Sequence, residues 1–517
     1  MMPHLLRFAL AVLLVSAATT CAPTRSVPAP QVERPTLVLF VTVDQLHPDY
    51  LRRYRSELRG GLARLLDGGA VFTQAFQDHA ITETAPGHAA TMSGRFPKHT
   101  GITRNLLGVN DRSWTLLGTD ELGASPFRFR GTTLTDWLTA ADSGTRAFSV
   151  SMKDRGAILP IGRSRQQVYW FATSGFFTTS IWYADTLPTW VRRFNQQDVA
   201  RRMAGKSWDL LLPAGRYAEP DSSPYEFFGR RATFPHQFPS DSSRAALFFR
   251  ITPMMDQLTV DFALRGFDQL GIGRGPSTDV MAVSLSATDG VGHYWGPASR
   301  EIHDQVLRLN GNLGRLIDRI YERVDSSRVL IALTADHGVS EIPELHGKLR
   351  VSLGPAVSAA RRAVAGAGGD TTTVEVESGA FFLPDSGRAA GVDAFIEAAR
   401  AIPGVLRVDR FDQLRLHDLE RDAIARRWLN MFPPEIEPAV VVTLEEGNIY
   451  DYPLVATHGS PHDYDAHVPM IFYGPAFRPG HYDGFARVID MGPTLARALG
   501  VEPTEPIDGQ PLTSALR

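Results

Sequence analysis

The sequence predicts an α/β protein with a central, mostly parallel β-sheet flanked by helices. Five short apolar runs lack polar alternation and are rich in β-branched residues, which is typical of strands buried on both faces. They are residues 36–43, 146–151, 279–286, 328–334 and 468–474. Charged side chains follow each of the first four runs within a few residues. We therefore expect parallel strands whose polar residues meet at one rim of the sheet, outside the carboxyl ends of the strands.

The segment between the third and fourth runs predicts an amphipathic crossover helix. Apolar side chains recur there at three-and-four spacing. They are Ile302, Val306, Leu309, Leu313, Leu316, Ile320 and Val324. A strand, a helix and a strand in this order predict a right-handed parallel unit. A short helix near the C-terminus is expected to end at Gly500, which takes the C-cap position.

With 517 residues, the chain could form two or more average domains or one α/β core with large insertions. We interpret residues 36–515 as one domain with insertions over the rim at about 160–275 and 340–455. The 43% hydrophobic and 21% charged residues argue against disorder. A net charge of −3 offers no electrostatic basis for a nucleic-acid partner.

The N-terminus predicts export. Residues 1–21 read as a signal peptide, because the apolar run 8–15 follows a cation and is too short to span a bilayer. Residues 22–35 form a Pro-rich tether. Two alternatives stay open: lipid anchoring at Cys21, or plain cleavage, since Thr20 departs from the Gly or Ala usual at that position. Both alternatives predict a protein of the periplasm or cell envelope. It would contact the membrane only through a lipid anchor at Cys21.

The rim collects side chains that could bind metal ions. They are Asp44, Asp289, His293, Asp336, His337 and His458. Taken singly, an aspartate after a strand is more typical of a helix N-cap, and a lone histidine of a core or solvated residue. Their combination at several strand ends favours a metal centre, and mixed imidazole and carboxylate ligands suit zinc. Two zinc ions about 4 Å apart would clamp an in-line displacement at phosphorus.

A candidate nucleophile lies in the stretch "TETAPGH" at Thr84. Thr84 has no obvious paired base, but a hydroxyl bound to a metal ion does not need one. The Ala-Pro-Gly sequence that follows predicts a turn into a helix, whose backbone N–H groups favour an anion. We therefore treat Thr84 as nucleophile and as a metal ligand.

Seven motifs resemble the alkaline phosphatase superfamily. In chain order they are "VTVDQLHPDYL", "TETAPGHAATMSGRFPKHTGITRN", "SMKDRGA", "SATDGVGHYWGP", "TADHG", "THGSPHDYDAHVP" and "DMGPTLARALG". Within the superfamily the chain resembles bacterial phosphate-irrepressible alkaline phosphatases, which are similar to nucleotide pyrophosphatase/phosphodiesterases. The resemblance covers most of residues 36–500, is weakest in the two insertions, and implies a three-layer sandwich.

The resemblance also implies roles for individual residues. The ligands of the zinc that activates Thr84 would be Asp44, Asp336 and His337. The ligands of the zinc on the leaving-group side would be Asp289, His293 and His458. Phosphoryl oxygens would be held by Asn105, Lys153 and Arg155.

The expected function is that of an exported alkaline phosphatase that uses two Zn²⁺ ions. It would hydrolyse small phosphate monoesters through a phosphothreonine and release phosphate, and a monomer is compatible with this role. The cations Lys153 and Arg155 favour monoesters, since related diesterases lack the pair, although "KDR" could also be a solvated turn. The alternatives are a phosphodiesterase or nucleotide pyrophosphatase on the same scaffold, and a non-catalytic scaffold protein. The place of a sulfatase nucleophile reads "TAPGH", which disfavours sulfatase activity.

Overall fold

The structure is a computed structural model that describes residues 34–230 and 232–517. The predicted signal peptide, Cys21 and most of the tether lie outside the described residues, as does Arg231. Within the described ranges, no helix has both the length and the apolar character needed to cross a membrane.

The secondary structure alternates strands and helices along most of the chain. The strands are β1 (Leu37–Val43), β2 (Ala70–Phe76), β3 (Ala147–Ser151), β4 (Gln167–Phe171), β5 (Phe177–Thr178), β6 (Ser207–Trp208), β7 (His236–Gln237), β8 (Asp279–Leu285), β9 (Val329–Thr334), β10 (Arg350–Val351), β11 (Glu375–Glu377), β12 (Ala380–Phe382), β13 (Val405–Arg410), β14 (Val440–Leu444), β15 (Ile449–Tyr450), β16 (Met470–Tyr473) and β17 (Gly480–Arg487). The helices are α1 (Pro48–Arg53), α2 (Gly61–Gly68), α3 (Thr84–Ser93), α4 (Pro97–Thr100), α5 (Leu134–Ala141), α6 (Asp154–Ile158), α7 (Thr189–Asn195), α8 (Ser242–Phe249), α9 (Met254–Leu270), α10 (Ala287–Trp295), α11 (Arg300–Tyr321), α12 (Gly354–Gly366), α13 (Arg388–Arg400), α14 (Ala423–Leu429), α15 (Asp463–Ala466) and α16 (Met491–Leu499).

The main sheet has nine strands in the order β17-β2-β16-β9-β1-β8-β3-β4-β5. Strand β1 lies at its centre, parallel to β8 on one side and to β9 on the other. All residues of β1, β8 and β9 are buried, as strands covered by helices on both faces must be. The predicted α/β fold with a mostly parallel central sheet is confirmed.

The fifth apolar run was expected to be parallel, and this expectation is wrong. Strand β16 pairs antiparallel with both β9 and β2. The chain enters β16 next to His467, which forms a bridge with Phe76 at the carboxyl end of β2. No crossover helix first carries the chain back to the amino ends of β2 and β9. Strand β16 therefore starts at their carboxyl ends and runs antiparallel to both. Burial on both faces hides this direction from the apolar pattern.

Both predicted helices form. Helices α10 and α11 connect β8 to β9. Helix α11 ends at Tyr321, and the seven apolar positions predicted for residues 301–324 are all buried. The C-terminal helix α16 ends at Gly500, whose φ of 69° is left-handed and suits glycine.

The two segments expected as insertions differ in structure. The first contributes β4 and β5 to the edge of the main sheet, and its α9 packs on β3 and β8, so part of it belongs to the main core. The second forms a separate four-stranded sheet in the order β11-β12-β14-β13. Its own apolar core includes Val364, Phe381 and Phe395.

Candidate active site

Three aspartates lie at the carboxyl ends of three adjacent strands. Asp44 directly follows β1, Asp336 lies two residues after β9, and Asp289 lies in the first turn of α10 after β8. Each is at most 5% exposed. The parallel register of these strands therefore brings together carboxylates that are up to 292 positions apart, which is the difference between 336 and 44.

One group of possible ligands consists of Asp44, Asp336 and His337. His337 Nε2 lies 3.4 Å from Asp44 Oδ1 and 3.7 Å from Asp336 Oδ2. Asp44 Oδ1 and His337 Nε2 are buried without a hydrogen-bond partner, whereas Asp336 Oδ2 lies 3.1 Å from Nδ1 of the buried His88 ring. Two ligand atoms on one tetrahedral zinc ion stand about 3.3 Å apart, given bonds of about 2.0 Å. These residues therefore fit a zinc ion in both donor type and spacing.

A second group forms around Asp289 Oδ1. This oxygen lies 3.0 Å from His293 Nε2 and 3.6 Å from His458 Nε2. The possible ligand atoms of Asp289, His337 and His458 all lie within 4.8 Å of one another. The ring of His337 stacks on that of His458, with centroids 3.5 Å apart. His337 thus lies between the two groups, while His293 joins the second group through its contact with Asp289.

Backbone carbonyls orient the three imidazoles. The Nδ1 atoms of His293, His337 and His458 lie 2.8–2.9 Å from the carbonyl oxygens of Ala456, Gly338 and Thr82, respectively. A carbonyl oxygen only accepts hydrogen bonds, so each Nδ1 must carry the proton. In each ring Nε2 is the nitrogen that faces the carboxylates, which is the arrangement of a histidine that binds a metal through one nitrogen and donates from the other.

The buried carboxylates of this site repel one another. Burial, followed by the charges of Asp289 and Asp336, raises the pKa of the Asp44 carboxyl well above its ordinary value. Burial also lowers the pKa of His337 to about 3, so this imidazole is neutral. Bound divalent cations would lower the pKa of the Asp44 carboxyl again, because they favour its ionised form.

Lys153 connects Thr84 to both groups. Its Nζ lies 2.6 Å from Asp44 Oδ2, 2.6 Å from Asp289 Oδ2 and 3.2 Å from Thr84 Oγ1. Burial opposes the charge on the amine, but the charges of Asp289 and Asp44 outweigh it and raise the pKa of Lys153. The amine is therefore a buried, permanent cation next to the Thr84 hydroxyl.

Thr84 and Asn105 meet at the N-terminus of α3. Thr84 is the first residue of this helix and is 1% exposed. Asn105 approaches from the loop after α4, and its Oδ1 accepts a hydrogen bond from the backbone N–H of Ala85 at 2.8 Å. The Asn105 side chain thus lies beside the residue that follows Thr84.

Arg155 lies two residues beyond Lys153, on the short helix α6. Its side chain is 25% exposed, and its guanidinium lies 3.6 Å from Asp154. The charge of Arg155 opposes the protonation of Lys153, so the two cations lie near one another. Arg155 is thus at the rim and partly open to solvent, whereas Lys153 is enclosed.

Two residues of the site carried no recognisable signal in the sequence. Gln45 is fully buried, has a φ of 65°, and donates from Nε2 to Asp289 and from its backbone N–H to Asp336. Glu83 accepts the backbone N–H of Asn105. Their positions directly after Asp44 and directly before Thr84 would have been the only hints.

Known proteins are similar to this chain in sequence and in fold. The profile of the family "Type I phosphodiesterase / nucleotide pyrophosphatase" matches residues 38–452. The chain is 28% identical to alkaline phosphatase PafA of Elizabethkingia meningoseptica, over 99% of each chain. It is 29% identical to alkaline phosphatase PhoV of Synechococcus elongatus, over 94% of each chain.

The crystal structure of wild-type alkaline phosphatase PafA superimposes with a TM-score of 0.85 and 27% identity, covering 94% of this chain and 99% of that chain. The family profile spans most of the main sheet and nearly all of the second insertion. The chain therefore belongs to the type I phosphodiesterase/nucleotide pyrophosphatase family, within the alkaline phosphatase superfamily.

Proposed function

We propose that this protein is an exported alkaline phosphatase that hydrolyses phosphate monoesters through a phosphothreonine at Thr84. One observation carries the proposal. The Lys153 amine contacts the Thr84 hydroxyl and one carboxylate from each ligand group, so the hydroxyl lies next to both groups. The alkaline phosphatase names of relatives that match over nearly the full chain support the same activity.

Two zinc ions are the proposed cofactors. One would be held by Asp44, Asp336, His337 and the Thr84 oxygen, and the other by Asp289, His293 and His458. When bound, such ions lower the pKa of a hydroxyl nucleophile and stabilise the leaving oxygen. The unpaired buried atoms of Asp44 and His337 support this assignment.

The reaction proceeds in two displacements at phosphorus. The Thr84 hydroxyl gives its proton to solvent, and its oxygen forms a bond to phosphorus in line while the bond to the leaving alkoxide breaks; the alkoxide takes a proton from solvent. A water oxygen then attacks the phosphothreonine, the bond to Thr84 breaks, the proton that the water loses restores the Thr84 hydroxyl, and inorganic phosphate leaves. Two inversions give net retention of configuration.

Charged and polar side chains hold the phosphoryl group during both steps. The enclosed cation of Lys153 and the partly open cation of Arg155 match the two negative charges of a monoester, whereas a diester carries one. The side-chain Nδ2 of Asn105 is available to a phosphoryl oxygen, because its Oδ1 is already bound to Ala85.

The name of the matched family favours a second candidate, a phosphodiesterase or nucleotide pyrophosphatase. A panel of aryl monoesters, sugar phosphates, nucleotides and diesters with added zinc distinguishes the two. We expect the highest kcat/KM for monoesters, no turnover by Thr84→Ala, and a phosphorylated peptide containing Thr84 after acid quench. Full activity of Thr84→Ala, or of thoroughly chelated protein, would contradict the proposal.

A non-catalytic scaffold protein is the remaining alternative. It requires no metal, whereas the proposed enzyme contains about two zinc ions per chain. Metal analysis of purified full-length protein distinguishes the enzyme from the scaffold protein. A metal-free, inactive protein would favour the scaffold hypothesis. Export can be followed separately by locating the protein in cell fractions before and after deletion of residues 1–21.

A further inference from the structure

Glu83 occupies the N-cap position of α3, directly before the proposed nucleophile. Its side chain makes no capping hydrogen bond to the helix. Instead, Oε2 accepts the backbone N–H of Asn105 at 2.7 Å, and Oε1 accepts the hydroxyl of Ser378 at 3.0 Å. One carboxylate thus joins the loop that carries Asn105 to the second insertion.

Two of the hydrogen bonds of Asn105 determine where its side chain points. Its Oδ1 is bound to the backbone N–H of Ala85, and its backbone N–H is bound to Glu83. Both partners flank Thr84, so the loop is fixed to the two neighbours of the nucleophile. The remaining donor of the side chain, Nδ2, is then free for a phosphoryl oxygen next to Thr84.

Ser378 lies in the tight turn between β11 and β12, where it is 6% exposed. Its φ of 47° is left-handed, which is costly for a residue with a Cβ atom and requires support from its surroundings. The neighbouring Glu377 pairs with Arg104, the residue before Asn105. The turn therefore contacts the Asn105 loop at two adjacent points, through Glu377 and through Ser378 and Glu83.

We propose that Glu83, supported by Ser378, is a positioning residue that holds Asn105 in place to bind the phosphoryl group. The second insertion then has a role in catalysis, because its β11–β12 turn supports the phosphoryl site from outside the main sheet. This inference rests on the proposed function, in which Asn105 binds a phosphoryl oxygen.

The chemistry of position 83 suggests graded variants. In Glu83→Ala both hydrogen bonds are lost, and the Asn105 N–H has no acceptor. In Glu83→Gln the amide oxygen can still accept the Asn105 N–H, and its NH₂ can donate to the Ser378 hydroxyl, which also accepts. The conservative variant should therefore retain most of the function that Glu83→Ala loses.

The test is a double-mutant cycle with Asn105→Ala on the full-length, zinc-loaded protein. We expect Glu83→Ala to lower kcat/KM for an aryl monoester about 10-fold in the wild-type background, as loss of a charge-assisted hydrogen bond to a positioned group does. In the Asn105→Ala background the same change should cost less than about 2-fold, because the group that it positions is gone. Glu83→Gln should stay within about 3-fold of wild type.

Binding of orthovanadate provides a readout independent of turnover. We expect the dissociation constant of orthovanadate, measured by isothermal titration calorimetry, to rise about 10-fold in Glu83→Ala, and we expect no further rise when Glu83→Ala is added to Asn105→Ala. Ser378→Ala should show a smaller loss with the same dependence on Asn105, and it serves as the second variant if Glu83→Ala does not fold. Asp393→Ala, an exposed change in the same insertion, is the control and should leave both constants unchanged.

Two results have different meanings. If Glu83→Ala causes the same loss with and without Asn105, the residue does not act through Asn105 and the inference is wrong, while the proposed function stands. If Asn105→Ala alone leaves kcat/KM and vanadate binding unchanged, the proposed phosphoryl role of Asn105 fails, and the inference fails with it.

Discussion

The side-chain amide of Gln45 donates a hydrogen bond to Asp289 Oδ1 at 2.8 Å, although the two residues are 244 positions apart. The backbone N–H of Gln45 also donates to Asp336 Oδ1 at 3.1 Å. One residue thereby orients a carboxylate in each of the two proposed zinc groups. Its φ of 65° is unusual for a residue other than glycine, and it directs the N–H and the side chain to both groups.

We expect Gln45→Ala to weaken zinc binding about 10- to 100-fold, since partners that orient metal ligands typically have effects of that size. Competition with a chromophoric chelator measures the affinity directly. Gln197→Ala, at an exposed position, is the matched control. Unchanged zinc affinity in Gln45→Ala would show that Asp289 and Asp336 are held without it.

A substitution at Gly292, which lies against the Gln45 side chain, tests the contact between Gln45 and Asp289 in a second way. A Cβ atom at this position of α10 would lie 1.8 Å from Gln45 Oε1. Gly292→Ala should therefore displace Gln45 and destabilise the protein by about 1–3 kcal/mol, although alanine favours helices. Gly311→Ala, in α11 with open space around it, should be neutral or stabilising. Urea unfolding of both variants provides the comparison, and equal behaviour would contradict the predicted overlap.

Lys153 should control the choice between monoesters and diesters. We expect Lys153→Ala to lower kcat/KM for a monoester about 100- to 1,000-fold, the range found when a donor to a transition-state oxygen is removed. The loss for a diester should be about 10-fold smaller, because a diester carries less negative charge on its phosphoryl oxygens. Rates are compared at saturating zinc, since Lys153 also contacts Asp44 and Asp289. Equal decreases in kcat/KM for the monoester and the diester would show that Lys153 does not determine the preference between them.

His79 should make the protein sensitive to acid. Burial lowers the pKa of His79 to about 3, and its Nε2 has no hydrogen-bond partner. The unfolded chain binds this proton near pH 6.5, whereas the folded protein does not, so the free energy of unfolding falls as the pH drops from about 6.5 towards 3. From pH 7.5 to 5.5 this histidine alone should lower the free energy of unfolding by about 1.4 kcal/mol.

The matched variant is His79→Leu, which lacks the titrating group. Urea unfolding at pH 7.5 and 5.5 should show a smaller decrease for His79→Leu than for wild type. Other acid-sensitive groups, including the proposed zinc ligands, are common to both proteins and cancel in the difference. Equal decreases in the free energy of unfolding of the two proteins would mean that His79 takes up its proton in the folded protein as readily as in the unfolded chain.

The apolar runs and the spacing of α11 predicted most of the central sheet, because burial on both faces leaves a local signature in each strand. The direction of β16 was not predictable in the same way. An apolar strand has the same composition in either direction, and the direction depends on where the chain enters the sheet. Likewise, no strand was predicted within residues 160–275, because the place of β4 and β5 in the sheet depends on the pairing of β4 with β3 and of β5 with β4.

The sequence by itself determined which groups are available for chemistry, namely the candidate ligands, Thr84, Asn105 and Lys153. Tertiary structure alone decided how they combine. It placed His337 between both ligand groups and Lys153 against Thr84, and it brought Gln45 and Glu83 into the site. These contacts join residues tens to hundreds of positions apart, so they depend on strand order and loop packing and leave no pattern in any local stretch of sequence.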